Sequence, residues 1–491
     1  MVARAVHRSA CKLVLLVVAL CGACAAPPAG LHTVHLHLDG TDRDITTSAP
    51  TVRALLTERH IALAKLDTVE PPQWMPLTPG LHITIVRGYE EIVSEAIPYQ
   101  ERLIRDEFMS PQETYVLQPG VDGQAERRYL LLMDGAQLIE RRLIERRVIA
   151  EPVTLVRVTG TRGLLLRVAV QGTLAYVANG EPWVLRRNTD GKRPLARGVQ
   201  TDGRVFDLSS DGSRLLYSVG NDVEGQLNEL YVAVSDVLNA SPQRLGISNV
   251  HWAAWSPDGQ RIAYTTFTPM RGEPGWRAAN DLHVIAWPAG TPVIDLPPTA
   301  AFVYAWYGER WAWRPDGAAL AYARADSVGV LDLATTRRTC LASFPPGVAN
   351  DAMVPLPELA WSPDGETLAY TLPNAGATEA TLHLISTQSG VDRAASAGIG
   401  RPVFARDGQR LLLAQPASGS EATLAVIDTM TQQKRALRQD AVVSLPPQLA
   451  WGPVATQFIY VYAGDLYCYD LTNDGVTPLT ATGLVSSPVW R

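Results

Sequence analysis

The chain is poor in cysteine and has no long apolar run after its first residues. Three of the five cysteines lie among the first 24 residues, which leaves Cys340 and Cys468 for the rest of the chain. Two cysteines cannot supply a disulfide framework, and the repeat described below places them three repeat units apart. We therefore expect two small buried side chains and no disulfide. No later segment approaches the roughly 20 apolar residues that a membrane-spanning helix needs.

Charge and catalytic motifs are also scarce. Charged residues make up 19% of the chain and the net charge is −6, so there is no concentrated basic surface to predict nucleic-acid binding. The sequence contains no Gly-x-Ser-x-Gly elbow, no His-Glu-x-x-His pair, no phosphate loop and no Cys/His cluster, and its nine histidines are scattered. It therefore predicts no catalytic residues, no cofactor and no metal.

Residues 1–24 have the pattern of a signal peptide. Basic residues precede a continuous apolar run, Leu13 to Leu20, and small residues follow. Cys24 comes after Gly22 and Ala23 and resembles the lipidated cysteine of a bacterial lipobox, although Cys21 stands where that motif usually has leucine. The alternative is simple cleavage after Ala25. A lipid on Cys24 would hold the protein at a membrane with its bulk in water.

A repeat dominates the second half of the chain. The sequence Ala-Trp-Ser-Pro-Asp-Gly begins at Ala254 and again at Ala360, and Ala-Trp-Arg-Pro-Asp-Gly begins at Ala312. Each copy leads into an apolar strand that contains a tyrosine, with fixed spacings of three and six residues. The copies, complete and weaker, are Trp255-Asp258-Tyr264, Trp313-Asp316-Tyr322, Trp361-Asp364-Tyr370, Leu208-Asp211-Tyr217, Phe404-Asp407-Leu413 and Trp451-Tyr460.

The two ends of this region supply a seventh unit. Leu174-Ala175-Tyr176 is a second strand with no first strand before it, whereas Pro488-Val489-Trp490 is a first strand with none after it. Joined, they complete one unit and leave no open sheet edge. Spacings of 41, 47, 58, 48, 43 and 47 residues from Tyr176 onward suit blades of four strands. We therefore predict a seven-bladed β-propeller closed by the C-terminal strand.

The aspartates of the repeat have a structural explanation. Proline presets the first turn position, aspartate accepts from the backbone two residues on, and glycine takes a positive φ. Asp258, Asp316 and Asp364 are therefore interpreted as turn residues rather than as catalytic or metal-binding carboxylates. The repeat resembles that of TolB-like propellers over residues 164–491. Such propellers precede the hydrolase domain of some peptidases, but the missing nucleophile elbow argues against a peptidase.

Residues 31–88 predict a small α+β domain. Val34, Leu36 and Leu38 alternate up to the hairpin signal Asp39-Gly40, residues 51–60 have helical spacing, and residues 81–85 alternate again. The segment resembles the ubiquitin-like domain that precedes G-five domains in cell-wall proteins. His32, His35 and His37 suggest a metal site, but the sequence places no third ligand beside them, and we expect a polar strand face.

Residues 91–163 resemble a G-five domain, an extended β module named for its glycines. The resemblance rests on residues 95–99, on Pro119-Gly120-Val121-Asp122-Gly123, on Asp134-Gly135 and on Val158-Thr159-Gly160. From Leu138 the sequence repeats every five residues, as Leu138-Ile139-Glu-Arg-Arg, Leu143-Ile144-Glu-Arg-Arg and Val148-Ile149. This spacing fits neither the helical period nor the strand period. The resemblance favours strand, with the Glu-Arg-Arg runs on solvated faces.

The domain resemblances imply a binding or adhesion protein on the outer face of the bacterial cell membrane, held by its lipid or else secreted. The G-five resemblance implies contact with peptidoglycan or another wall glycan of the N-acetylglucosamine type, and the propeller is a platform for envelope proteins or a ligand. Two alternatives remain: a spacer or assembly scaffold, and an enzyme acting on glycan or peptide from the propeller.

The longest spacing in the repeat, 58 residues, marks one region as a candidate ligand site. It carries four aromatic residues: Trp276, Tyr304, Trp306 and Tyr307. Exposed rings here would stack on sugar or anchor a partner. The alternative is extra packing inside an enlarged blade.

Overall fold

The computed structural model describes residues 30–491 except 222, 239, 273, 300–303, 347–353, 375–378, 418–420 and 439–440. The signal segment and Cys24 lie outside the described residues. The chain is mostly β, as predicted, and forms two compact bodies. The first ends at Gln100 and resumes over Pro119–Leu155, and the second comprises Glu101–Gln118 and Val156–Arg491. Within the part of the chain that the structure describes, no helix has the length and apolar character needed to cross a membrane.

The first nine strands and one helix form the first body and the beginning of the second. They are β1 (His32–Leu38), β2 (Thr41–Thr47), α1 (Val52–Glu58), β3 (Thr68–Glu70), β4 (His82–Ile97), β5 (Glu101–Asp106), β6 (Thr114–Gln118), β7 (Gly123–Asp134), β8 (Gln137–Ala150) and β9 (Leu155–Gly160).

The ubiquitin-like segment folds as its apolar pattern predicts. β1 and β2 pair antiparallel across the Asp39-Gly40 turn, and Thr51 caps α1 by accepting from the Ala54 backbone N–H at 3.3 Å. The buried face of the helix packs on alternate residues of the strands. The core consists of Val34, Leu36, Ile45, Ala49, Val52, Leu55, Leu56, Ile83 and Ile85.

One long strand passes from this core into the following sheet. The start of β4 pairs parallel with β1, and the rest, Arg87 to Ile97, pairs antiparallel with β7. The sheet order is β2-β1-β4-β7-β8, with β3 beside β4. The segment between the two predicted domains, residues 88–91, is therefore continuous strand.

The five-residue repeat forms the edge strand β8, and β-bulges explain its period. Pairing with β7 skips one residue of β8 at each of three places, so that Ile139, Ile144 and Ile149 have no partner in the ladder. A bulge adds one residue to one strand, so five residues of β8 match four of β7. The same face therefore returns every fifth residue, and a strand acquires a period of five.

Strands β5, β9 and β6 form a separate three-stranded sheet, in that order, which belongs to the second body. Gly160 in β9 passes so close to the chain at Ser110 that an added Cβ would lie 1.9 Å from the Ser110 carbonyl oxygen. A side chain therefore does not fit there. Phe108 stacks on Trp183, with ring centroids 5.8 Å apart, and Arg105 lies 3.4 Å from Asp465. These contacts attach the small sheet to the strands that follow.

The remainder of the second body consists of short strands. They are β10 (Ala169–Ala178), β11 (Glu181–Asn188), β12 (Lys192–Pro194), β13 (Thr201–Leu208), β14 (Arg214–Gly220), β15 (Asn228–Val234), β16 (Gln243–Ser248), β17 (Val250–Trp255), β18 (Arg261–Pro269), β19 (Trp276–Ala278), β20 (Leu282–Ala286), β21 (Pro292–Leu296), β22 (Arg310–Trp313), β23 (Ala319–Ala323), β24 (Ser327–Asp332), β25 (Arg338–Ser343), β26 (Glu358–Trp361), β27 (Thr367–Pro373), β28 (Ala380–Ser386), β29 (Asp392–Phe404), β30 (Arg410–Pro416), β31 (Glu421–Asp428), β32 (Lys434–Ala436), β33 (Val442–Ser444), β34 (Leu449–Trp451), β35 (Gln457–Tyr462), β36 (Asp465–Asp470), β37 (Gly475–Pro478) and β38 (Val485–Trp490). Two 3-10 turns, Thr189–Gly191 and Ala305–Tyr307, lie between them.

These strands pair antiparallel in sets of four. The sets are β38-β10-β11-β12, β13 to β16, β17-β18-β20-β21 with β19 beside β18, β22 to β25, β26 to β29, β29 to β32 with β33 beside β31, and β34 to β37. The long β29 ends one set and begins the next. The last strand, β38, pairs with β10 through Trp490 opposite Leu174, as the sequence predicts.

The Asp-Gly motif forms the turn after the first strand of a set. Asp258 accepts from the Ser256 hydroxyl at 2.5 Å and from the Gln260 backbone N–H at 3.0 Å, and Asp364 makes the corresponding bonds. The bonds to Ser256 and to the backbone outweigh burial and lower the pKa of Asp258. These aspartates therefore stabilise turns, as predicted.

The tryptophans of the repeat connect neighbouring sets. The Trp361 indole N–H donates to the Ala312 carbonyl at 3.1 Å, and Trp313 donates to the Ala254 carbonyl at 3.3 Å. The tyrosines of the second strands, such as Tyr217 and Tyr370, are buried. Large rings therefore fill the space between adjacent sets, where the sequence predicts them.

The prediction of two buried cysteines is wrong for Cys340. Cys340 is exposed on β25, an outer strand, and Cys468 on β36 is partly buried; both are free. The repeat fixes the register of a strand, but the exposure of an outer-strand side chain depends on whether a neighbouring set covers it.

Candidate functional site

One face of the β4-β7-β8 sheet carries a network of ionic side chains. Arg127 donates to Glu95 through two parallel bonds of 2.6 and 2.5 Å, and Arg146 reaches the same carboxylate at 3.2 Å. Arg141 donates to Glu91 at 3.0 Å. Partial desolvation raises the pKa of Glu95, but the bonds from Arg146 and Arg127 outweigh it and hold the pKa below its usual value. Both carboxylates are therefore fixed as acceptors.

Aromatic rings lie on the same face as this network. Side chains alternate between the faces of a strand, so Tyr89, Glu91 and Glu95 share one face of β4 and Ile92 lies on the other. Tyr129 of β7 lies opposite Glu91 of β4. The Arg141 guanidinium lies 3.9 Å from the centre of the Tyr129 ring. Tyr89 is 55% exposed and Ile92 is 59% exposed, which shows that this part of the sheet is open on both sides.

The predicted polar face of β1 carries two histidines held by aspartates. His35 bonds to Asp44 at 2.6 Å, and His37 bonds to Asp42 and Asp134 at 2.7 Å each. The bond to Asp134, followed by that to Asp42, raises the pKa of His37 above its usual value. In the residues that the structure describes, no three His, Cys, Asp or Glu side chains converge as metal ligands. The aspartates at these histidines serve as hydrogen-bond partners.

The second body contains a cavity of about 740 Å³, lined by the first strands of all seven sets. These strands contact one another in turn, β38 with β13, β13 with β17, β22 with β26, β26 with β29, β29 with β34, and β34 with β38. The Trp313 bond joins β22 to β17. Seven tryptophans line the cavity: Trp252, Trp255, Trp311, Trp313, Trp361, Trp451 and Trp490.

Arginine is the main charged residue of the cavity. Its lining includes Arg204, Arg401, Arg406 and Arg491, against one acidic residue, Asp207. Burial raises the pKa of Asp207, opposed by Arg491 and by the Trp255 backbone N–H. That N–H donates to the carboxylate at 2.9 Å, and the Arg491 guanidinium lies 3.5 Å from it. The lining is therefore cationic.

Two of the four predicted aromatic residues pack inside the enlarged set. Trp276 begins the additional strand β19, lies edge-on to His251 with centroids 4.9 Å apart, and contacts Tyr307. The His251 Nε2–H donates to the Tyr307 carbonyl at 3.0 Å. Burial, followed by Arg204 and Arg310, lowers the pKa of His251 to about 4. Trp276 and Tyr307 are partly buried in this packing, and ligand binding by this pair stays a prediction.

The other two aromatic residues are accessible. Tyr304 has a left-handed backbone, with φ 58°, and is 43% exposed, and Trp306 is 38% exposed. A chain of contacts connects the 3-10 turn Ala305–Tyr307 to the cavity lining. Tyr307 contacts Trp276, and the Arg204 guanidinium of the lining lies 4.9 Å from the centre of the Trp276 ring. Ligand binding by Tyr304 and Trp306 stays a prediction.

Comparison with protein families identifies the N-terminal modules. The G5 domain family matches residues 88–162, and the G5-linked ubiquitin-like domain family matches residues 34–73. The chain therefore carries a ubiquitin-like domain followed by a G5 domain. The ionic network lies on the part of the G5 domain that belongs to the first body, whereas β5, β6 and β9 of the same domain belong to the second body.

Solved structures are similar at low identity. TolB from Acinetobacter baumannii is 13% identical, with 82% of this chain and 100% of that chain covered and a TM-score of 0.39. A putative 6-phosphogluconolactonase from Bacteroides fragilis NCTC 9343 is 12% identical, with 65% and 96% covered and a TM-score of 0.44. The structure of HP0197-G5 is 24% identical over 15% of this chain and 97% of that chain, with a TM-score of 0.15.

The sequence pattern indicates neither of the two ionic arrangements. The Glu-Arg-Arg runs of the G5 domain lie on solvated faces, as predicted, since every residue of β8 is exposed. The pattern did not indicate that Arg141 and Arg146 reach across two strands to Glu91 and Glu95.

The cavity arginines have no common motif: Arg204 lies in β13, Arg401 in β29, Arg406 in the turn after β29 and Arg491 directly after β38. The signal that the sequence does contain is the position of two arginines in the repeat. Arg204 lies four residues before Leu208, and Arg401 lies three residues before Phe404. Leu208 and Phe404 occupy the position that tryptophan has in the complete copies.

Proposed function

We propose that this protein is an exported, lipid-anchored binding protein of the bacterial cell envelope, without enzymatic activity. Its G5 domain contacts a wall glycan of the N-acetylglucosamine type, and its seven four-stranded sets form a closed β-propeller that recruits an envelope protein or ligand. The G5 and ubiquitin-like family matches support placement at the cell envelope. The anchor is the lipid predicted at Cys24.

The observation that carries the proposal is the open sheet of the G5 domain. Glycan hydroxyls need fixed hydrogen-bonding groups, and sugar rings stack on exposed aromatic faces. Glu91 and Glu95, held by arginines, supply such groups on the face that also carries the exposed Tyr89 ring and the partly buried Tyr129 ring beneath Arg141. A single-layer sheet offers this face to an extended chain without a pocket.

Sedimentation with purified peptidoglycan tests the glycan contact. The full chain from residue 25 onward is expected to sediment with peptidoglycan, and Tyr89→Ala combined with Tyr129→Ala should remain in the supernatant. The matched control is Ile92→Ala, an equally exposed side chain on the opposite face of β4. If the wild type stays in solution, or if the double variant sediments as the wild type does, the G5 sheet is not a wall-binding surface and the spacer alternative is favoured.

Membrane fractionation tests the anchor separately. Cys24→Ala should move the expressed protein out of the membrane fraction, and Cys340→Ala should leave it there. A Cys24→Ala protein that stays with the membrane contradicts lipidation at this residue.

A further inference from the structure

The positive side chains that line the cavity outnumber the negative ones. Four arginines and one aspartate line it, and that aspartate, Asp207, is already engaged by Arg491 and by the Trp255 backbone. We propose that the cavity binds a small organic anion, a sugar acid or a sugar phosphate, through Arg401, Arg406 and Arg204. This inference concerns the second body and does not depend on wall binding by the G5 sheet.

Arg401 and Arg406 have free hydrogen-bonding capacity. Arg401 donates its Nε–H to the Leu359 carbonyl at 3.3 Å, which leaves its terminal N–H groups available. Arg406 is exposed in the turn after β29, and no side-chain hydrogen bond or ion pair joins it to a residue that the structure describes. Guanidinium groups bind carboxylate and phosphate through two parallel bonds, so both side chains suit an anionic group.

Arg204, on β13, supplies a third cationic group in the cavity lining. Its guanidinium lies 4.8 Å from the centre of the Phe267 ring and 4.9 Å from that of Trp276, and the nearest carboxylate oxygen, on Asp202, is 3.9 Å away. Burial lowers the pKa of Arg204, opposed by Asp202. Holding a guanidinium here without a close acceptor has a free-energy cost, which an anion in the cavity would offset.

The size and lining of the cavity set the class of ligand. A volume of about 740 Å³ lies within the roughly 300–1,000 Å³ typical of small-molecule sites. The lining combines arginines with indole rings, among which Trp252 and Trp313 are partly exposed. Indole surface favours a ligand with an organic body over a bare inorganic ion.

Three sugars of similar size separate the effect of charge from that of shape. The probes are glucose, glucuronic acid and glucose 6-phosphate, titrated into the chain from residue 25 onward and followed by calorimetry and by tryptophan fluorescence. Saturable binding of glucuronic acid identifies the ligand group as a carboxylate, and saturable binding of glucose 6-phosphate identifies it as a phosphate; glucose should not bind. Raising the salt concentration should weaken binding.

Single substitutions locate the site. Arg401→Gln and Arg406→Gln should each weaken binding of the preferred acid about tenfold, in keeping with loss of one charge-assisted hydrogen-bond pair. Arg337→Gln, an exposed arginine in the turn between β24 and β25, should leave the affinity unchanged. Binding of glucose as strong as that of the acids, no binding of either acid, or equal effects of the Arg401 and Arg337 substitutions would each overturn the proposal.

Discussion

Glu107 and Lys192 form a buried ion pair, with side chains 9% and 6% exposed, although 85 residues separate them in the sequence. Glu107 also accepts from the Ala481 backbone N–H at 2.5 Å, and Lys192 donates to the Leu479 carbonyl at 2.8 Å. The pair therefore joins the segment after β5 of the G5 domain to the first and last four-stranded sets of the second body. It is one of the contacts that connect this part of the G5 domain to the rest of the second body.

Removing one partner of this pair should destabilise the second body. Glu107→Ala leaves the Lys192 ammonium buried without its carboxylate, and we expect a loss of about 3–5 kcal/mol in the free energy of unfolding. Urea unfolding followed by tryptophan fluorescence measures it, since every tryptophan except Trp74 lies in the second body.

Two further variants interpret that result. Glu101→Ala removes an exposed partner of Arg157, with side chains 51% and 43% exposed, and should cost less than about 1 kcal/mol. Glu107→Leu combined with Lys192→Met should regain most of the loss, because an apolar pair leaves no buried charge. A Glu107→Ala protein as stable as the Glu101→Ala protein would show that the pair contributes nothing.

The raised pKa of His37 predicts a pH dependence in the first body. A histidine whose pKa is higher in the folded state than its unfolded value of 6.5 stabilises the fold fully below pH 6.5, and this contribution is lost as pH rises through the folded pKa. NMR titration of the His37 ring should give a pKa above 6.5. In Asp134→Asn, which removes the carboxylate of the strongest bond, the value should fall towards 6.5. An unchanged value in that variant would contradict the assigned cause.

The lowered pKa of His251 has the opposite consequence. The unfolded chain binds a proton near pH 6.5, whereas the folded chain binds it only near pH 4, so stability falls as pH decreases through this window. The slope approaches about 1.4 kcal/mol per pH unit. Urea unfolding at several pH values should show a smaller slope between pH 6.5 and 4 for His251→Gln. Identical slopes for variant and wild type would place the proton uptake elsewhere.

The two cysteines should differ in reactivity. Cys340 is exposed, whereas burial, followed by Asp470, raises the pKa of Cys468 to about 12, and the thiolate is the reactive form. In the chain from residue 25 onward, a thiol reagent at pH 8 should label one cysteine rapidly and the second only in urea. Cys340→Ser should abolish the rapid phase; a rapid phase that persists in this variant would contradict the assignment.

The sequence by itself determined the parts of the fold that depend on local pattern. Alternation of Val34, Leu36 and Leu38, the cap at Thr51 and the Pro-Asp-Gly turns specify elements over a few residues, because backbone geometry and side-chain period act locally. The fixed Trp, Asp and Tyr spacings also predicted the pairing of β38 with β10, since repeated strands share one register.

Only the tertiary structure decided which side chains meet. The five-residue period of β8 became a strand through bulges against β7, Arg141 and Arg146 found Glu91 and Glu95 two strands away, and Glu107 found Lys192 in another domain. The cavity arginines come from three sets that are far apart in the sequence, and only Arg401 and Arg406 are near enough for a local pattern to bring them together. Contact between residues that are distant in the sequence depends on how the sheets pack. Local secondary-structure propensity carries no information about that packing.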